Sequence, residues 1–156
     1  MSLQWYGPSQ PRETTVDGLR ERHKRQTRIA LRDAALRRFQ RDGFEATTVN
    51  DIAADVDVSP RTFFRYFPTK DAVVVVPYEE IFEEWEALVR SSPAGRTLVD
   101  VLQDASHLVT DAYEHDVDYW DRHHEAVTAD PRLGLRMLET QARLQQRAAA
   151  ALADRL

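Results

Sequence analysis

The stretch Thr47–Phe67, "TTVNDIAADVDVSPRTFFRYF", contains two helix starts in close succession. Thr48 suits an N-cap, Asp51 three residues later supports the first turn, and Val49, Ile52, Ala53 and Val56 form an apolar stripe about two turns long. After "DVDV", Ser59 caps a second helix with Pro60 at its first position, where a missing N–H costs nothing. The pattern predicts two short helices and a tight turn. In the second helix Phe63 and Phe67 lie four apart and face a core, which turns Arg61, Thr62, Phe64, Arg65 and Tyr66 outward.

On the N-terminal side, Leu19 to Arg41 consists of strong helix formers without proline, and Leu31, Ala34, Ala35 and Phe39 fall at helical spacing. Asp42-Gly43 stops this helix, with Phe44 as a core anchor just beyond it. Residues 1–18, with Gly7, Pro8, Pro11 and Gly18, lack periodicity and read as a flexible arm. On the C-terminal side Pro68 ends the short helix and Thr69 is placed to cap the next, through "KDAVVVVPYEEIFEEWEALVRSS". Four valines with no second strand pattern anywhere read as helix, and Pro77 is expected to kink it or to begin a new segment. Further helices are expected from about Arg96 to Tyr113, over a shorter stretch with Val117, Trp120, His124 and Val127 on one side, and from Asp130-Pro131 to the end. The expected class is all-α: a three-helix unit over residues 19–68 and a helical bundle over 69–156.

The chain of 156 residues has 42% hydrophobic content, enough for a packed core, and contains no cysteine, which excludes disulfides and thiolate metal sites. No apolar run approaches the roughly 20 residues that span a bilayer, and the polar N-terminus has no hydrophobic secretion segment, so no membrane is expected and the cytoplasm is. Net charge is −5, but residues 1–71 carry 13 Lys and Arg against 10 Asp and Glu, while residues 72–156 carry 8 against 16. Between Arg20 and Arg41 there are nine cations and two anions. A basic front suits a polyanion whatever the total charge; a solvated basic helix face gives the same pattern.

A short helix, a tight turn and a second helix with a polar, basic outer face form the geometry that lays a helix into the DNA major groove. The first helix offers its N-terminal N–H groups, with Thr47 and Thr48, to a phosphate. The second offers Arg61 to guanine and Thr62 to neighbouring base edges, while Arg65, Tyr66 and Lys70 reach phosphates. Capping by Ser59 is compatible with a phosphate contact of its own.

At this point the sequence resembles the TetR-type (tetracycline-repressor-like) transcriptional regulators. The matching residues are "RRFQRDGFEATTVNDIA" followed by "DVSPRTFFRYFPTKDAV", about Leu31 to Val73 without a gap. The resemblance implies DNA binding by Thr48, Pro60, Arg61, Thr62, Arg65, Tyr66 and Lys70. Phe64 stands where the family frequently has tyrosine, and Tyr66 where it has histidine, so the phosphate hydroxyl moves to Tyr66. The resemblance also implies a ligand-responsive repressor that binds a palindromic operator as a homodimer, with an unknown small-molecule effector held by the bundle. The family's last two helices, which pair across its dimer, are missing from the expected set.

Bundles build ligand sites between facing helices, which makes Tyr78, Phe82, Trp85, Tyr113, Trp120, His124 and Met137 candidate effector contacts; ordinary core is the plainer reading of each. "HDVDYWDRHHE", with Asp121 and His124 one turn apart, invites a metal reading, but helical pairing of Asp118 with Arg122 explains most of it, and neither metal nor cofactor is expected. The motifs of catalysis are missing: no Gly-rich phosphate loop, His-Glu-x-x-His, serine elbow or cysteine nucleophile. Two alternatives from other classes are an enzyme using Asp and His of the bundle and a protein-interaction module using the acidic helix after Pro77.

Overall fold

Helical capping and apolar periodicity dominate the chain, and in a computed structural model every regular element among the described residues, 16–93 and 95–154, is a helix. They are α1 (Val16–Asp42), α2 (Val49–Asp55), α3 (Pro60–Tyr66), α4 (Ala72–Ser91), α5 (Leu98–His115), α6 (Val117–Ala129) and α7 (Pro131–Ala153). The all-α expectation holds. Residues 1–15 of the expected arm lie outside the described residues, whereas residues 16–18 already belong to α1. None of the described helices is long and apolar enough to cross a membrane.

The caps follow the side chains. Thr48 and Asp51 make a reciprocal capping box at α2, and Thr97 and Asp100 make another at α5. Ser59, Asp116 and Asp130 each accept a backbone N–H in the first turn of α3, α6 and α7. Gly43 takes φ 84° just after α1, a left-handed conformation that costs glycine nothing. Thr69 does not cap α4: the helix begins at Ala72, with Asp71 in the cap position and no side-chain cap bond. α4 also runs unbroken through Pro77, because burial holds its start on every side. Val73, Val74 and Val75 are almost wholly enclosed and Pro77 is buried.

One core runs through most of the chain. Leu31, Leu36 and Phe39 of α1, Ile52 of α2, Phe63 and Phe67 at α3, the valines of α4, Tyr119 of α6, and Leu133 and Met137 of α7 form one continuous cluster. A second, smaller cluster joins Val89, Val101 and Ala151 at the far end of the bundle.

On α6 the buried positions are Tyr119, His123 and Ala126, whereas Val117 and His124 are exposed. The expected stripe through Val117 and His124 is therefore misplaced, and the core histidine is His123. Its Nε2–H donates to the carbonyl oxygen of Val74 at 2.8 Å, beside the turn where Pro77 supplies no N–H. Arg32 of α1 lies 3.5 Å over the Tyr119 ring and pairs with Asp116 at 2.9 Å, fastening the start of α6 to α1.

Burial lowers the His123 pKa below the ordinary value of 6.5; the Val74 carbonyl opposes that shift, and His124 and Arg32 add to it. The unfolded chain then binds more protons than the folded one below about pH 6.5, so this stability is complete above that value and is lost as pH falls through it. Below about pH 6.5 the chain is expected to lose stability with falling pH, by at most about 1.4 kcal/mol per pH unit. Denaturant melts of the His123→Gln variant should lack that component.

Candidate nucleic-acid interface

α2 and α3 are each seven residues long, joined by a turn in which Asp57 takes φ 55°. The turn closes through Asp57 N–H to Ala54 O (3.2 Å) and Val58 N–H to Ala53 O (3.0 Å). Asp in this left-handed conformation is one of the few non-glycine choices at low cost. Arg38 of α1 grips Asp55 at the end of α2 through two bonds of 2.6 and 2.7 Å, and that bond holds the Asp55 carboxyl below its usual range.

α3 has an inside and an outside. Phe63 and Phe67 are fully enclosed with ring centroids 5.4 Å apart, and Phe39 meets Phe44 edge-on at 5.1 Å nearby. On the other side Ser59, Pro60, Arg61, Phe64 and Arg65 are exposed, and Thr62 and Tyr66 are half-buried. Ser59 Oγ accepts the Thr62 N–H at 3.2 Å and lies 3.0 Å from Thr62 Oγ1, which fixes the first turn. Arg65 leans toward Tyr66, 5.0 Å over its ring and 3.4 Å from its hydroxyl. Phe64 is 53% exposed, an apolar ring next to the polar groups.

At the start of α2, Thr48 is exposed and its hydroxyl donates to Asp51 at 2.5 Å while accepting the Asp51 N–H. Two expected contacts sit elsewhere. Thr47 is buried and gives its hydroxyl to Gly43 O at 2.8 Å. Lys70 is turned inward, donating to the carbonyls of Phe44 (2.5 Å) and Thr47 (2.7 Å) and lying 4.2 Å over the Phe44 ring. Desolvation lowers its pKa. The cause is positional: the loop between α1 and α2 presents unpaired carbonyls, and a lysine just before α4 can satisfy them.

The bundle gathers some of the expected effector residues and separates others. Tyr78, Tyr113 and Trp120 pack together, the last two stacked at 4.3 Å, and Trp120 Nε1–H donates to Ala112 O at 3.1 Å. Phe82 and Trp85 stack on each other at 5.3 Å, with Trp85 against the far core, and Met137 is in the main core. His124 and Asp121 are exposed on α6, and Arg122 does not pair with Asp118: its Nε is enclosed without a partner. Tyr119 and His123, not expected from sequence, complete the aromatic group. The Tyr119 hydroxyl is buried with no partner, and burial raises its pKa far above the ordinary value.

Residues 31–75 match the family model described as bacterial regulatory proteins, tetR family. The HTH-type transcriptional regulator TcmR of Streptomyces glaucescens is 41% identical over 92 residues, which are 59% of this chain and 41% of that protein. The HTH-type transcriptional repressor KstR of Rhodococcus jostii (strain RHA1) is 28% identical over 100 residues, 64% of this chain and 47% of that protein. The chain thus spans less than half the length of these relatives. The crystal structure of a TetR family transcription regulator from Marinobacter aquaeolei VT8 aligns over 85% of this chain and 68% of its own, with 27% identity and TM-score 0.49. Over residues 31–75 the chain is thus similar to bacterial regulatory proteins of the tetR family.

Proposed function

We propose that the chain acts in the cytoplasm as a sequence-specific DNA-binding regulator of transcription, a ligand-responsive repressor that reads a palindromic operator as a dimer. The observation that carries this reading is the division of α3: Phe63 and Phe67 fully enclosed, Arg61, Phe64 and Arg65 exposed. A helix seated this firmly presents its first turn to base edges with little motion, which is what sequence reading requires. Arg61 and Thr62 read bases, Arg65 and Tyr66 meet phosphates, and Thr48 with the α2 N–H groups holds a phosphate at that helix start. Lys70 and Thr47 support this surface from beneath.

Effector binding among Tyr78, Tyr113, Trp120 and Tyr119 has one supporting observation, the enclosed Tyr119 hydroxyl, which an acceptor on a bound molecule would satisfy. Such a molecule would displace α6, and α6 grips α4 through the His123 to Val74 bond. α4 in turn is preceded by Lys70, whose bonds hold the loop leading into α2. A dimer needs its reading helices about 34 to 36 Å apart to enter successive major grooves, so a small tilt of α4 is enough to lower affinity.

Selection from random duplexes, followed by titration of the winner, tests the reading. The Arg61→Ala variant should lose roughly 1 to 3 kcal/mol of binding and relax preference at one base position, with an unchanged melting temperature. Lys70→Met should show the reverse emphasis, losing about 1 to 3 kcal/mol of folding stability because carbonyls of Phe44 and Thr47 lose their donor. A chain that selects no duplex at low salt would refute the proposal.

A further inference from the structure

α1 outruns the core to which it belongs. From residue 18 onward the first fully buried side chain is Leu31, and from Leu19 to Gln26 every side chain is exposed. At about 1.5 Å per residue, this exposed run is a helical stretch roughly 12 Å long. Nothing in this stretch recommends a free-standing helix. It has no apolar stripe, and the sequence of residues 19–26 holds four cations, Arg20, Arg22, Lys24 and Arg25, and one anion, Glu21. Lys24 pairs with Glu21 at 2.5 Å, and Arg22 Nε reaches Gly18 O at 3.4 Å.

The overhang leaves the core beside the reading helix. Arg28, one turn C-terminal to Lys24 and Arg25, is half-buried, and α1 packs directly against both α2 and α3. Gln26 and Ile29 share an open groove with Asp55 and Val56, the end of α2 and the start of the turn. On α4, Glu80 pairs with Arg28, Glu79 with Arg143 and Glu86 with Arg90 and Arg147, Glu84 is partly buried with its pKa raised by desolvation, and Glu83 is exposed; none of them pairs with Arg22, Lys24 or Arg25.

We propose that the exposed basic half of α1 is a second nucleic-acid surface, lying along the backbone phosphates of the duplex that flanks the site under α3. This rests on the DNA-binding reading above. Charge complementarity selects the occupant: a duplex carries one negative charge per about 1.7 Å of axis, so roughly 12 Å of cationic helix lies beside on the order of seven phosphates. Phosphate contacts carry no sequence information, so this surface adds affinity and salt dependence without adding preference.

The test uses the whole chain, a selected duplex with flanking base pairs, and a scrambled duplex of equal length. In the triple variant Arg22→Gln/Lys24→Gln/Arg25→Gln, the slope of log affinity against log salt should fall by about 2 to 3 per bound chain, at about 0.9 for each phosphate no longer neutralised. The ratio of affinities for selected and scrambled duplexes should stay constant. A charge-keeping variant, Arg22→Lys/Arg25→Lys, should retain the parent slope, which separates loss of charge from loss of helix. If the parent binds but the triple variant keeps its slope, or if it loses the selected-to-scrambled ratio instead, this inference is overturned and the α3 reading stands. A parent chain that binds no duplex overturns both.

Discussion

A seven-residue helix has no means of its own to hold a direction. Nucleating a turn is costly and so short a segment is unstable alone, so the orientation of α3 is set by what its two phenylalanines bury. Phe63 and Phe67 lie one turn apart and are enclosed by side chains of the main cluster. Everything outward on α3 inherits its position from them. Pro60 and the Ser59 cap add precision at the first turn, but neither would hold the helix if the rings lost their pocket.

The second constraint is the grip between α6 and the rest. Arg32 covers the Tyr119 ring and takes Asp116, Gln40 reaches Glu125, and His123 holds a carbonyl of α4. α6 therefore touches both α1 and α4. A polar link of this kind is directional in a way that packed methyl groups are not, since its energy falls steeply once donor and acceptor separate or misalign.

Much of this was legible in the sequence because capping and helical spacing are local signals. Thr48 with Asp51, Ser59 with Pro60, and Asp130 with Pro131 each announce a start, and the enclosure of Phe63 and Phe67 follows from their spacing. The misreadings arose where several periodicities compete or where the answer is not local. Val117, Trp120, His124 and Val127 fit a helical stripe as well as Tyr119, His123 and Ala126 do, and the Arg32 contact that selects the second set comes from a distant part of α1. Lys70 looked like an outward cation because no sequence pattern reveals that the loop before α2 leaves carbonyls in need of a donor. The unbroken passage of α4 through Pro77 is a tertiary override of a local rule, sustained by burial around the valines.

The main cluster does not pause at Pro68. Leu36, Phe39 and Phe67 share it with Val73, Tyr119, Leu133 and Met137, so severing the chain between α3 and α4 would strip apolar surface from both pieces. Heat should therefore melt α1–α3 together with the near half of the bundle in one cooperative step.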